Sequence, residues 1–188
     1  EMCIRDRGIL VGEDIVRYAS ALRDIDIEMS NPIDILLAPP DPADYLPDIN
    51  SYLGYLESGL RQAVMARISV CRGRATKHYV FRENVFRAPP ELRKYLEKLA
   101  EKLRAEESTV DSLLNFLRSA DVEDMLEECF NKVKEGRDIV VVESFNNAIA
   151  PYKKILHHAD LILAVAPGAV LVYRDLEDIV KTVNEAVK

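Results

Sequence analysis

The chain contains no segment of the form Gly-x-x-x-x-Gly-Lys-Ser/Thr. Without that loop and its lysine, a P-loop nucleotide site cannot be complete on these residues. No Gly-x-Ser-x-Gly occurs either, which removes the nucleophile elbow of the α/β hydrolases. No apolar run approaches the roughly 18 residues of a membrane span. Cysteine is scarce: Cys3, Cys71 and Cys129 are odd in number and far apart. That argues against a disulfide framework and fits a reducing cytoplasm. No pair has zinc-ligand spacing, and Cys71 and Cys129 read as small buried residues. Positive charge is in deficit, with 25 Lys and Arg against 32 Asp and Glu and a net charge of −7. A chain of that sign is a poor binder of nucleic acid or anionic membrane. No signal peptide, repeat, low-complexity tract or interdomain linker is read in it.

What remains is ordinary globular composition, 48% apolar and 30% charged over 188 residues. That is one α/β domain with a sizeable core. The boundaries expected are a non-native tail over residues 1–7, EMCIRDR, and a single domain over 8–188. The natural gene is expected to continue upstream.

The stretch that organises the reading is Asp138–Ala150, DIVVVESFNNAIA. Four β-branched apolar residues, Ile139 to Val142, run without alternation and end at Glu143. Such a run reads as a strand buried on both faces, as in a parallel sheet. Ligand sites of open α/β sheets lie just past the carboxyl ends of such strands. Glu143 is therefore the first candidate. An acid there can hold Mg²⁺ or its water near nucleotide phosphates, or it can cap the following turn. Asn146 and Asn147 can bind the ligand, or shape the loop through backbone hydrogen bonds.

Helices are predicted over 13–24, over 50–60, and from Pro89-Pro90 through Leu92, Leu96, Leu99 and Leu103. Two more follow, capped by Ser108 or Thr109 and by Asp121, the second stopped by Gly136. A last one begins at Asp175. Ile33–Ala38, broken only by Asp34, is a short strand running into the stiff Pro39-Pro40-Asp41-Pro42. Val64, Ala66, Ile68 and Val70 alternate with Met65, Arg67, Ser69 and Cys71, a strand with one apolar face. With His78–Phe81 it forms a β-hairpin. Arg67, Arg72, Arg74, Lys77, His78 and Arg82 make this hairpin the most basic segment. It reads as a solvated tip or as an anion-binding flap over a phosphate or carboxylate substrate. Leu161–Ala166 and Ala169–Tyr173 are further apolar runs, separated by Pro167-Gly168. The adjacent His157 and His158 cannot both face one metal from a helix. The fold expected is α/β, a mostly parallel sheet with helices on both faces plus a β-hairpin.

The run DIVVVESFNNAIAP, with HHADLILAVAPGAVLVY after it, resembles the C-terminal half of archaeal proteins described as predicted P-loop ATPase/GTPases, relatives of dethiobiotin synthetase. Val141, Val142 and Glu143 match the family's strand end, and Ala159, Asp160 and Leu161 its second element. Ser144-Phe145-Asn146-Asn147 replaces the family's glycine-rich continuation, a departure from a dethiobiotin synthetase substrate site. Asn31-Pro32, Ala38-Pro39-Pro40 and the hairpin with Arg67, Cys71, Arg72 and Gly73 are similar in style. The resemblance implies ATP or GTP and Mg²⁺ as ligands of the complete protein, with Glu143 as the metal-proximal carboxylate. It also implies a second, small-molecule substrate and a phosphate loop upstream of residue 8. A rival reading is a non-catalytic α/β interaction or regulatory module. Another is a phosphate-ester binder using the hairpin arginines. Homodimerisation is expected if apolar sheet faces are left open.

Overall fold

The computed structural model describes residues 8–70, 75–144 and 148–186, the last five by their backbone alone. Two compact units divide the chain, residues 1–133 and 134–188.

In the first unit, α1 (Glu13–Ala21) and the single turn α2 (Ile27–Ser30) precede strand β1 (Ile33–Leu37). Asp26 starts α2 by accepting from the Met29 backbone N–H at 3.1 Å. Asn31-Pro32 ends it, because the residue before proline disfavours the α region. Helix α3 (Ile49–Leu56) follows the proline-rich loop, and Asp48 caps it by accepting from Ser51 N. Strands β2 (Ala63–Val70) and β3 (Ala75–Val80) are then joined by residues outside the described set. Helices α4 (Arg82–Arg87) and α5 (Pro90–Lys102), the two-residue strand β4 (Glu106–Glu107), α6 (Val110–Leu117) and α7 (Ala120–Lys134) complete the run. Proline opens α5, where its missing N–H is not needed. Thr109 caps α6 through Ser112 N. Gly136, at φ 68°, supplies the left-handed residue after α7.

The sheet order is β1-β2-β3-β4. The first two pairs are antiparallel and the third is parallel over two residues. The mostly parallel sheet expected from the sequence is thus replaced, in this unit, by a mixed sheet built on the β2–β3 hairpin. That hairpin stands as expected, with Met65 opposite Val80 and Ser69 opposite Thr76.

Strand β2, read as having one apolar face, is buried along nearly its whole length. On one face Ala66 joins Phe81 and Leu113 of α6, with Ile35 and Tyr79 against them. On the other, Met65 and Val80 pack with Leu10, Leu96 and Leu99, under α5. Farther along that same face come Arg67 and Ser69. They are polar and buried all the same. A period-two pattern records polarity and not burial, which is why the sequence showed one apolar face where the structure encloses two.

The second unit holds the segment expected to be the central strand. Ile139 to Val142 form no ladder; Ile139 is 83% and Val141 87% exposed. The buried strand read from the sequence is thus not formed by these residues in this structure. A turn over Lys153–His157 leads to β5 (Ile162–Ala166) and β6 (Ala169–Tyr173), an antiparallel two-stranded hairpin. Pro167-Gly168 makes its turn, with Gly168 at φ 77°, where only glycine is unstrained. Helix α8 (Glu177–Ala186) follows. Among the described residues, no helix is long and apolar enough to cross a membrane.

Candidate functional site

The buried polar face of the first unit is a row across three strands. Asp34 of β1 lies opposite Arg67 of β2, and Arg67 opposite His78 of β3. Asp34 is the one residue of β1 that is buried. The Arg67 side chain is fully enclosed. Its Nη1 donates to Ser69 Oγ at 2.9 Å and its Nη2 to the Asn31 carbonyl at 2.5 Å. Asp34 Oδ2 stands 4.0 Å from Nη2. Arg67 Nε is buried without a hydrogen-bond partner. Burial pulls the guanidinium below its ordinary pKa, and the carboxylates of Asp34 and Glu28 oppose that pull.

Two further bonds tie residues 10–12 across this row. Asp34 Oδ2 accepts the Gly12 backbone N–H at 2.6 Å and the Asn31 amide at 3.0 Å. His78 Nε2 accepts the Leu10 backbone N–H at 3.1 Å. An accepting Nε2 places the ring proton on Nδ1 in the neutral form. Burial, and then the nearby Arg67 charge, push the His78 pKa down, with Glu28 acting against them. Thr76 Oγ1 closes the row, bonded to Glu28 and, at 3.0 Å, to Ser69 Oγ. The row therefore ties a backbone segment to the sheet through side-chain acceptors. Its chemistry is that of a satisfied internal network with one spare N–H donor.

The sequence-derived candidates fall elsewhere or are only partly brought together. Glu143 is exposed in the second unit, at the end of the extended run. Its neighbour Ser144 bonds the Ala148 carbonyl. Asn146, Asn147, Arg72 and Arg74 lie outside the described residues. Arg67 belongs to the first unit, where its donors face protein acceptors. Asp34 was read only as a break in a strand, and His78 only as one of the basic residues of the hairpin. The signal for Asp34 was present, as the only break in an apolar strand. For His78 the sequence offered its place in the basic hairpin but not its burial opposite Arg67. Cys129, read as a small buried residue, is buried and is disulfide-bonded.

The second unit also carries a surface groove of about 870 Å³ lined by His157, Asp160, Arg174, Asp175, Glu177 and Lys181, among others. Cations and anions alternate around it, so it has no single electrostatic preference. Among the described residues no three His, Cys, Asp or Glu side chains are grouped to hold a metal. A Mg²⁺ that keeps most of its waters and borrows phosphate oxygens needs only one or two protein carboxylates, which is compatible with Glu143 alone. Compared with protein-family models, curated proteins and solved structures, the chain matches none.

Proposed function

We propose that this chain is part of a Mg²⁺-dependent ATP or GTP hydrolase, or an ATP-dependent ligase-like enzyme, whose phosphate loop lies outside the residues described. The observation that supports this is the exposure of strand-forming sequence in the second unit. Ile139 and Val141 stand almost wholly in water, and Leu163, Val165, Val170 and Leu171 of the β5–β6 hairpin are all more than half exposed. Strands apolar on both faces belong inside a parallel sheet, and a two-stranded hairpin is marginal alone. A strand pairing in parallel with the Ile139–Val142 run would bury that run and extend a sheet of mixed direction over the antiparallel β5–β6 hairpin. It would also bring a phosphate loop toward the end of the Ile139–Val142 run. Glu143 is then the carboxylate that positions Mg²⁺ or the attacking water. The metal would neutralise charge on the transferring phosphoryl group.

The test is calorimetry with ATP and GTP plus Mg²⁺, on this chain and on a version extended upstream to the next in-frame start. Binding by the extended version alone is the expected result. Within it, Glu143→Ala abolishes hydrolysis and changes stability by less than about 1 kcal/mol, as for a residue outside core and caps. Undiminished turnover by that variant sinks the assignment. The same exposed apolar surface also fits a non-catalytic interaction module. That reading gains if neither version binds nucleotide while the extended one is well folded. Self-association of the present chain through this surface, measured by light scattering, is expected under both readings. Nucleotide binding by this chain alone redirects attention to Arg72 and Arg74.

A further inference from the structure

A different surface, on the first unit, carries an inference independent of the nucleotide reading. Helix α3 buries none of its eight residues, although a helix in a globular fold normally hides one stripe. Its aliphatic residues Ile49, Leu53 and Leu56 recur at the four- and three-residue spacing that places them on one face. Leu46, just before the helix, is exposed too. The four are 82%, 61%, 50% and 37% exposed in chain order. Summed over the four residues, this exposure is on the order of 400 Å², within the range of the largest apolar patch of a typical monomer, which is often functional.

The strip is flanked by aromatic contacts. Tyr45 packs on Tyr52 and Tyr55, with ring centroids 5.5 and 6.5 Å apart. Tyr55 Oη donates to Asn84 Oδ1 at 3.1 Å, and the Arg87 guanidinium lies 5.8 Å over the Tyr55 ring. Tyr52 and Tyr55, half-buried beside the aliphatic residues, thus hold the helix while Ile49, Leu53 and Leu56 stay exposed.

Charge says what fits there. From Asp24 to Leu60 the chain contains eight acidic residues and no lysine, arginine or histidine. Asp44, Asp48 and Glu57 flank the strip and are exposed. The cations nearest in sequence or in contact are engaged, Arg61 with Asp111 and Arg87 with Glu83. An aliphatic strip with acidic flanks repels a second copy of itself, and repels an anionic membrane surface. It complements a helix with apolar residues at the same spacing and lysine or arginine beside them.

We propose that Leu46, Ile49, Leu53 and Leu56, flanked by Asp44, Asp48 and Glu57, form a docking surface for a cationic amphipathic helix of a partner protein. The chain has no tryptophan, so a single Trp in a probe peptide reports binding without background. The probe is a Leu/Lys amphipathic helix about five turns long with that Trp on its apolar face. Its control carries Glu in place of Lys. The full chain is titrated with each. The Leu/Lys probe binds with a blue-shifted Trp spectrum and the Leu/Glu control does not. Leu53→Ser, at an exposed position and checked for an unchanged melting curve, weakens binding at least about tenfold, as loss of an anchor does. Asp44→Asn with Glu57→Gln weakens it and flattens its salt dependence. Glu91→Gln with Glu101→Gln, equal in charge change but on exposed positions of α5, leaves it unaltered. Three results overturn the proposal. They are equal binding of both peptides, indifference to Leu53→Ser, or equal weakening by the two charge pairs, which would mean attraction to the net charge alone. Concentration-dependent dimerisation removed by Leu53→Ser would assign the strip to a second copy and overturn it as well.

Discussion

Arg67→Met tests whether the polar row is internal in solution. The substitution keeps most of the side chain's length and removes its charge. The Asn31 carbonyl loses its guanidinium donor, and Ser69 Oγ loses one of two partners, keeping Thr76 Oγ1. Hydrogen bonds to a charged group are each worth about 1.5–3 kcal/mol net. Asp34 keeps Gly12 N and the Asn31 amide but loses its neighbouring cation. At 4.0 Å that pair attracts by about 4 kcal/mol at an effective dielectric of 20. The enclosed guanidinium's desolvation, several kcal/mol, is recovered and offsets much of this gain. The unpartnered Nε disappears, a small relief. Breaking one side of a buried pair typically costs about 3–5 kcal/mol, and about 3 is expected here. Urea unfolding followed by far-UV circular dichroism measures it, read from the midpoint at unchanged m-value. The double variant Arg67→Met/Asp34→Asn should be less destabilised than the two single changes added, with a coupling of about 1–3 kcal/mol. If Arg67→Met unfolds within about 1 kcal/mol of the parent and the coupling is nil, Arg67 is open to water and available to an anion.

Other outcomes follow from the same geometry. The His78 pKa is depressed by burial and by Arg67. The unfolded chain therefore binds the proton first as pH drops below about 6.5, and stability present above that value falls on acidification. His78→Gln should flatten the loss that sets in below about pH 6.5 in urea midpoints taken on acidification; an unchanged slope would assign it to other groups. Leu96→Ala, at a fully enclosed site under the sheet, should cost about 2–5 kcal/mol, and a loss below about 1 kcal/mol would contradict the α5–sheet core. Val141→Ser should change stability by less than about 0.5 kcal/mol in this chain because the side chain stands in water. In a version extended upstream it should cost well over about 1 kcal/mol, and equal effects in both would refute a buried strand there.

Most helices were legible in the sequence. The Leu92–Leu103 periodicity became α5, Thr109 caps α6, and Gly136 sits just past the end of α7. These signals are local, because a helix satisfies its backbone within a turn and its caps within three residues. The β2–β3 hairpin was equally legible, since its strands are close in sequence. Strand burial was not. Ile139–Val142 reads as an interior strand from composition, yet a strand is interior only when neighbours pair with both its edges, and that is not written in its own residues. Conversely, Arg67 reads as a solvent or substrate arginine. Its enclosure depends on Asp34 and His78 arriving beside it, from 33 residues before and 11 residues after it, in a register set by the whole sheet. The sequence by itself determined which segments coil and which extend, because propensity and capping act over a few residues. Only the tertiary structure decided which charges are internal and which apolar strips face water, because burial is a property of neighbours that no local pattern specifies.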